Sequence, residues 1–185
     1  MPTQGTRRIV LGNSNGVQLN RTPMPSLVYL SLGSNIGDRG KHLRDAIGHL
    51  QTKRHIVSVS SFYETEPVEL TDQEWFLNCA VALETTETPE QLMAAILHIE
   101  QQMGRQRLQR KGPRTLDIDI LLFGDTILDS PALTIPHPAM QERRFVLQPL
   151  AEIAPQARHP VLKKTVRELL DALPAGQAVR RHQTA

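Results

Sequence analysis

Apolar residues along this chain fall into two spacings, and their order predicts a βαββαβ core. Val28-Tyr29-Leu30-Ser31-Leu32 is a short apolar run closed by Gly33-Ser34-Asn35, which reads as a strand and a tight turn. Asp38 then caps a helix reaching Leu50, with Leu43, Ala46, Ile47 and Leu50 on one helical face. Residues 56–62, rich in β-branched side chains, predict a second strand. Residues 64–74 carry Pro67 and no helical period, and are expected to form a loop. Residues 76–83 predict a third strand, with Leu77, Cys79, Val81 and Leu83 on one face and Phe76, Asn78, Ala80 and Ala82 on the other. Thr88-Pro89-Glu90-Gln91 puts Thr at an N-cap, Pro at the first helical position and Gln two residues further on. The helix it opens buries Leu92, Ile96, Ile99 and Met103 and closes at Gly104. Residues 116–123 predict a fourth strand.

This order is the ferredoxin-like arrangement, an α+β fold in which an antiparallel sheet carries two helices on one face. Beyond it, Gly124-Asp125 predicts a hairpin turn, and residues 126–128 and 133–135 predict two short added strands. A helical stretch at 139–152 is expected to be interrupted by Pro149, and the capping box Thr165-Val166-Arg167-Glu168 opens a last helix to about Leu173. The reading is a single domain at 27–174, preceded by an extension at 1–26 rich in Gly, Asn, Thr and Pro. A polar, frayed tail at 175–185 follows it.

Composition narrows the class. At 185 residues, 39% hydrophobic and 22% charged, the chain can bury a core without disulfide or metal staples. Cys79 is its one cysteine, which predicts a reducing, cytoplasmic setting, and no apolar run is long enough to span a membrane. A net charge of +2 does not mark a general binder of nucleic acid, but charge is unevenly spread. Residues 64–100 hold nine acidic side chains and no Lys or Arg, whereas 105–114 hold Arg105, Arg107, Arg110, Lys111 and Arg114. A local anion site accounts for this asymmetry better than a basic surface, although a solvated loop has the same composition.

The candidate chemistry follows that loop. In Gly112-Pro113-Arg114-Thr115-Leu116-Asp117-Ile118-Asp119-Ile120, the two Asp residues alternate with apolar ones. In a strand they share a face, roughly 6.5–7 Å apart along the chain, turned away from the helix layer. A half-exposed strand with a polar outer face shows the same alternation. The flanking arginines favour hard-cation chemistry: carboxylates suit Mg²⁺, which keeps several waters and takes further ligands from phosphate oxygens. Phe76 and Asn78 share a strand face, and a ring beside an amide suits a flat heterocycle, though a packed face with a satisfied Asn is the plainer reading. His137, between two prolines, is a further candidate for a phosphate-facing group. Gly33-Ser34-Asn35-Ile36-Gly37 lacks the Gly-Lys-Ser/Thr ending of a P-loop.

Five pieces taken together closely resemble the 6-hydroxymethyl-7,8-dihydropterin pyrophosphokinases of folate synthesis. They are Leu32-Gly33-Ser34-Asn35-Ile36-Gly37-Asp38, Ser60-Ser61-Phe62-Tyr63-Glu64-Thr65-Glu66-Pro67, Phe76-Leu77-Asn78, the Gly112 to Asp119 run, and Thr134-Ile135-Pro136-His137-Pro138. The resemblance implies pyrophosphoryl transfer from ATP to the hydroxymethyl group of the dihydropterin, with AMP released. It implies two Mg²⁺ ions on Asp117 and Asp119, with Arg105 and Arg114 engaging the transferring phosphates. It implies a pterin site of Thr65, Glu66, Val68, Phe76, Asn78 and Phe145. ATP would be met by Glu100, Arg107, Arg110, Lys111, Ile120, Thr134, His137 and Arg143. The partners implied are the two small-molecule substrates, with no nucleic acid or membrane, acting on a monomer. Some positions depart from the pattern: Arg110-Lys111 stands where some relatives carry Arg-Trp, and Ala132 where some carry Arg. Two other readings keep the fold. Another Mg-dependent nucleotidyl enzyme would release pyrophosphate. A non-catalytic RNA-binding module would need exposed sheet aromatics, which an aromatic content of 4% disfavours.

Overall fold

The computed structural model describes residues 24–66, 74–104, 114–176 and 178–183. The expected core is present: β1 (Ser26–Ser34), α1 (Arg39–Gln51), β2 (His55–Val59), β4 (Phe76–Thr85), α2 (Pro89–Gln102) and β5 (Asp117–Phe123). A short β3 (Tyr63–Thr65) lies between β2 and β4: the expected strand at 56–62 ends as β2 at Val59, and a second piece, β3, takes the first two residues of the loop expected at 64–74, of which 67–73 lie outside the described residues. Both pieces pair antiparallel with the same edge of β4, β2 opposite Val81–Glu84 and β3 opposite Phe76–Asn78. The chain leaves the sheet at Ser60, whose N–H and Oγ instead bond the backbone of Ala80.

The helices begin where the capping residues placed them. The Asp38 side chain accepts the Lys41 N–H at 2.8 Å, and Thr88 and Gln91 close a reciprocal capping box. Gly104 adopts a φ of +81° just past α2, a conformation that costs a side chain-bearing residue but not glycine. Leu43, Ala46 and Leu50 of α1 and Leu92, Ile96 and Ile99 of α2 pack on Leu30, Leu32, Leu77, Val81, Leu83, Ile118 and Ile120. This is the main core, and burying each such Leu or Ile is worth roughly 1.5–3 kcal/mol.

The opposite sheet face is also covered, at one end. After the hairpin β6 (Leu128–Asp129) and β7 (Thr134–Ile135), a 3₁₀ turn at Met140–Glu142 leads to α3 (Arg144–Ile153) and α4 (Val166–Asp171). Val146, Leu147 and Leu150 of α3 and Leu169 and Leu170 of α4 pack on Ala80, Leu121 and Leu122. The interruption expected at Pro149 falls instead at Arg143, which is extended at φ −113° and ψ 104°, and α3 continues through Pro149. Proline removes one backbone donor, and the apolar stripe around it outweighs that loss.

The sheet order is β5-β1-β4-β3-β8, with β2 also on β4, and every pairing is antiparallel. The last member corrects the expectation of a frayed tail: β8 (Val179–Arg181) returns to pair with β3. Its side chains are largely exposed, so no apolar alternation announced it. What holds it is polar. Arg181 donates to Ser61 Oγ at 2.6 Å, Arg180 lies 5.3 Å from the Trp75 ring centroid, and the His182 N–H donates to the Phe62 carbonyl at 2.8 Å.

Candidate functional site

The site begins with the register of β1 between its two neighbours. Gly33 is paired with Asn78 on one side and Asp117 on the other, and Ser31 with Ala80 and Asp119. Strands lie about 4.8 Å apart, so Asn78 and Asp117 stand about 10 Å from each other across a residue that has no side chain. The apolar partners Ile118, Ile120, Leu77 and Cys79 point into the α1/α2 core. Asp117, Asp119, Phe76 and Asn78 therefore share the other face, as the alternation predicts.

Gly33 belongs to the strand and not to a turn, and it is the site residue that sequence reasoning passed over. A Cβ there would sit 2.6 Å from Asn78 Oδ1 and 3.8 Å from the Phe76 ring. Its only sequence signal was a glycine ending an apolar run, which is also what a turn looks like. Asn78 is buried, and its Nδ2 donates to Thr65 Oγ1 at 2.7 Å. That bond fixes the amide and leaves Oδ1 over the Gly33 gap as an acceptor.

A β-bulge shapes the carboxylate side. Tyr29 pairs with Leu122 and Leu30 with Ile120, so Leu121 is an extra residue, and its carbonyl accepts the His137 N–H at 3.0 Å. This brings His137 Nε2 to 4.0 Å from Asp119 Oδ2. The Ala139 N–H donates to His137 Nδ1 at 3.2 Å, which assigns the neutral ring its proton on Nε2, facing Asp119. Burial and then the nearby Arg143 charge push the His137 pKa down to about 4, so the ring is uncharged at neutral pH.

The two carboxylates differ. Burial, followed by the charge of Asp117, lifts the Asp119 carboxyl to about 6. Asp117 accepts a 2.5 Å bond from Arg114 Nη1, and the Arg114 guanidinium stands 5.8 Å from the Phe76 ring centroid. Arg114 Nε is buried without a hydrogen-bond partner among the described residues. The Arg143 guanidinium lies 5.7 Å from the ring centroid of Phe145.

Other expected site residues sit around this centre in different ways. Glu100 is buried, and its Oε1 accepts the Ile118 N–H at 2.9 Å, which holds the outer edge of β5 between the two Asp residues. Ile120 packs in the α1/α2 core, on the face opposite the carboxylates. Thr134 donates to Asp129 at 3.3 Å within the β6–β7 hairpin. Glu66 pairs through its N–H with the Ala178 carbonyl just before β8. Val68, Arg105, Arg107, Arg110 and Lys111 lie outside the described residues.

Asp117 and Asp119 fit a divalent cation in part. Two like charges on one face, one of them held reluctantly ionised, are relieved by a cation between them. Among the described residues no group of three or more His, Cys, Asp or Glu forms a closed metal cage. Such an open carboxylate pair suits Mg²⁺, which keeps waters and takes phosphate oxygens, better than a structural metal.

Fold and site together define a class: a ferredoxin-like α+β domain whose sheet face sets an aromatic–amide pair beside a carboxylate pair. The 7,8-dihydro-6-hydroxymethylpterin-pyrophosphokinase (HPPK) family profile matches residues 29–155, and the chain belongs to that family. Among its relatives is the 2-amino-4-hydroxy-6-hydroxymethyldihydropteridine pyrophosphokinase of Bacillus subtilis, 47% identical over 135 residues, covering 72% of this chain and 81% of the relative. The protein of the same name from Methylorubrum extorquens is 46% identical over 151 residues, covering 80% and 94%. Folic acid synthesis protein fol1 of Schizosaccharomyces pombe is 39% identical over 188 residues, which is 93% of this chain and only 26% of that much longer protein. A crystal structure of wild-type Plasmodium falciparum HPPK-DHPS with STZ-DHP superposes with a TM-score of 0.62 at 18% identity, covering 80% of this chain and 41% of that one. That similarity supports the fold alone. Among the described residues no helix is long and apolar enough to cross a membrane.

Proposed function

We infer that this chain transfers the terminal pyrophosphoryl group of ATP to 6-hydroxymethyl-7,8-dihydropterin, a step of folate synthesis. The hydroxymethyl oxygen forms a bond to the β-phosphorus, the bond between that phosphorus and the α-phosphate oxygen breaks, and AMP leaves. The observation that carries this reading is the row Asn78–Gly33–Asp117. It sets the Asn78 amide and the Asp117 carboxylate about 10 Å apart on one sheet face, the separation this reading needs between a ring-reading group and a cation ligand. A bicyclic ring with a short hydroxymethyl arm spans that distance.

Each half supports its role. Asn78 Oδ1, fixed by the Thr65 bond, accepts from the ring's N–H edge, and a substrate lacking those donors leaves a buried acceptor unpaired. Phe76 and Phe145 stack on the ring. On the other half Asp117 and Asp119 hold Mg²⁺, two ions in our reading, which when bound neutralise phosphate charge. Arg114 and Arg143 add positive charge beside the phosphates, and His137, neutral and protonated on Nε2, donates a hydrogen bond without adding charge. Positioning and electrostatic stabilisation supply most of the rate in such transfers.

The test is phosphorus NMR of ATP and Mg²⁺ with and without the dihydropterin. AMP appearing only with the dihydropterin is expected, and inorganic pyrophosphate as product would refute the reading. Asp117→Ala and Asp119→Ala should each abolish turnover while the melting transition stays cooperative.

A further inference from the structure

Asn35 lies outside every role assigned above, yet it touches both halves of the site. It follows β1 directly and is 2% exposed. Its Oδ1 accepts the Arg114 N–H at 2.8 Å, and its own N–H donates to the Arg114 carbonyl at 3.2 Å. Its Nδ2 donates to the Glu74 carbonyl at 3.4 Å. One donor and one acceptor face the amide from different sides, so only this orientation of the side chain satisfies both. Arg114 precedes β5 and carries the guanidinium that meets Asp117. Glu74 stands two residues before Phe76, at the start of β4.

We propose that Asn35 is a positioning residue for both halves of the site, its oxygen fixing Arg114 against Asp117 and its nitrogen fixing the start of the Phe76 strand. The two atoms divide the work. Clamping the Arg114 peptide on both its N–H and its C=O leaves the residue little freedom to move along or around the strand axis. Its side chain therefore starts from one place, beside Asp117 and over the Phe76 ring. The Glu74 contact is shared: Arg39 Nη1 donates to the next carbonyl, that of Trp75, at 2.7 Å, and Arg39 Nη2 meets Glu64 at 2.9 Å. Loss of the Asn35 nitrogen is then partly covered by Arg39, whereas loss of its oxygen strips the Arg114 N–H of the acceptor it now has.

This inference rests on the proposed activity, and the experiment separates the two. Asn35→Asp keeps an oxygen acceptor and loses the Nδ2 donor, while Asn35→Ala loses both. Steady-state kinetics and amide hydrogen exchange at Arg114 are measured on the full chain. No turnover by the parent protein would refute the activity, and exchange would still report on Asn35. In Asn35→Ala, kcat should fall roughly ten- to a hundredfold, the range a misplaced catalytic group costs, with faster Arg114 exchange. In Asn35→Asp, exchange should stay slow and kcat within about threefold of the parent, while the pterin KM rises several-fold. Introduced into Arg114→Ala, Asn35→Ala should change kcat by less than about threefold, because the residue it positions is gone. Parental kcat in Asn35→Ala, full additivity with Arg114→Ala, or equal kcat losses in the Asp and Ala variants would each overturn the proposal. Should Asn35→Ala not fold, Asn35→Asp decides: a low kcat or an unchanged pterin KM refutes it.

Discussion

Gly33→Ala tests whether the floor between the two half-sites must be bare. The new Cβ would lie 2.6 Å from Asn78 Oδ1, well inside any ordinary carbon–oxygen contact. Asn78 has little room to yield, because its Nδ2 is bonded to Thr65 Oγ1 at 2.7 Å and both residues are buried. Relief requires either breaking that bond or spreading two paired strands. Overpacking of this kind costs roughly 1–3 kcal/mol, against which a strand Ala gains roughly 0.5–1 kcal/mol over Gly. Near the middle of those ranges the net loss is about 1–2 kcal/mol, or a fall in Tm of roughly 2–8 °C for a domain of this size. Differential scanning calorimetry reads the first effect. Titration with the pterin reads the second, a weakened complex, since the displaced oxygen is the one assigned to the ring edge. The same change made in Asn78→Ala should cost nothing in stability, because the clashing atom is absent. An equal loss in both backgrounds, or a Gly33→Ala protein as stable as the parent, would refute the reasoning.

Three further outcomes are expected. Phe145→Ala should weaken pterin binding about tenfold or more and nucleotide binding far less, as read by calorimetric titration, since one stacking face is lost. The Asp119 carboxyl, raised to about 6, favours the protonated folded state. Metal-free stability should therefore fall as pH rises from about 4 through about 6, and Mg²⁺ should raise Tm more at about pH 7.5 than at about pH 5. Equal Mg²⁺ shifts at the two pH values would contradict this. Away from the site, Arg54 Nε is 2.6 Å from Glu87, with the Arg side chain 2% exposed. Burial pulls the Glu87 carboxyl up, but hydrogen bonds from Arg54 and Thr85 outweigh it and hold the carboxyl below its usual range. This stabilisation is present above the ordinary carboxylate range and is lost as pH falls through the lowered value. Glu87→Gln should cost roughly 2–3 kcal/mol in urea unfolding at neutral pH, and the gap should narrow in acid.

Local pattern determined a large part of this protein. Alternation around Asp117 and Asp119 put both carboxylates on the face away from the helices, and alternation around Asn78 put Phe76 beside it. Asp38, Thr88 and Thr165 marked three helix starts within the reach of their own side chains. Such signals are legible because a capping bond or a two-residue period involves only near neighbours in the chain. The tertiary structure decided what depends on distant segments meeting. The register of β1 turned Gly33 from the end of an apolar run into the floor of the site. The bulge at Leu121 aimed a carbonyl at His137, and packing on the second sheet face carried α3 through Pro149. The polar segment at Val179–Arg181 became a strand because β3 offered it an unpaired edge. Asn35 likewise gained its bonds to Glu74 and Arg114 from residues that lie 39 and 79 positions away. None of these contacts leaves a periodic trace, because each is set by which strand edges and chain ends the packed core brings together.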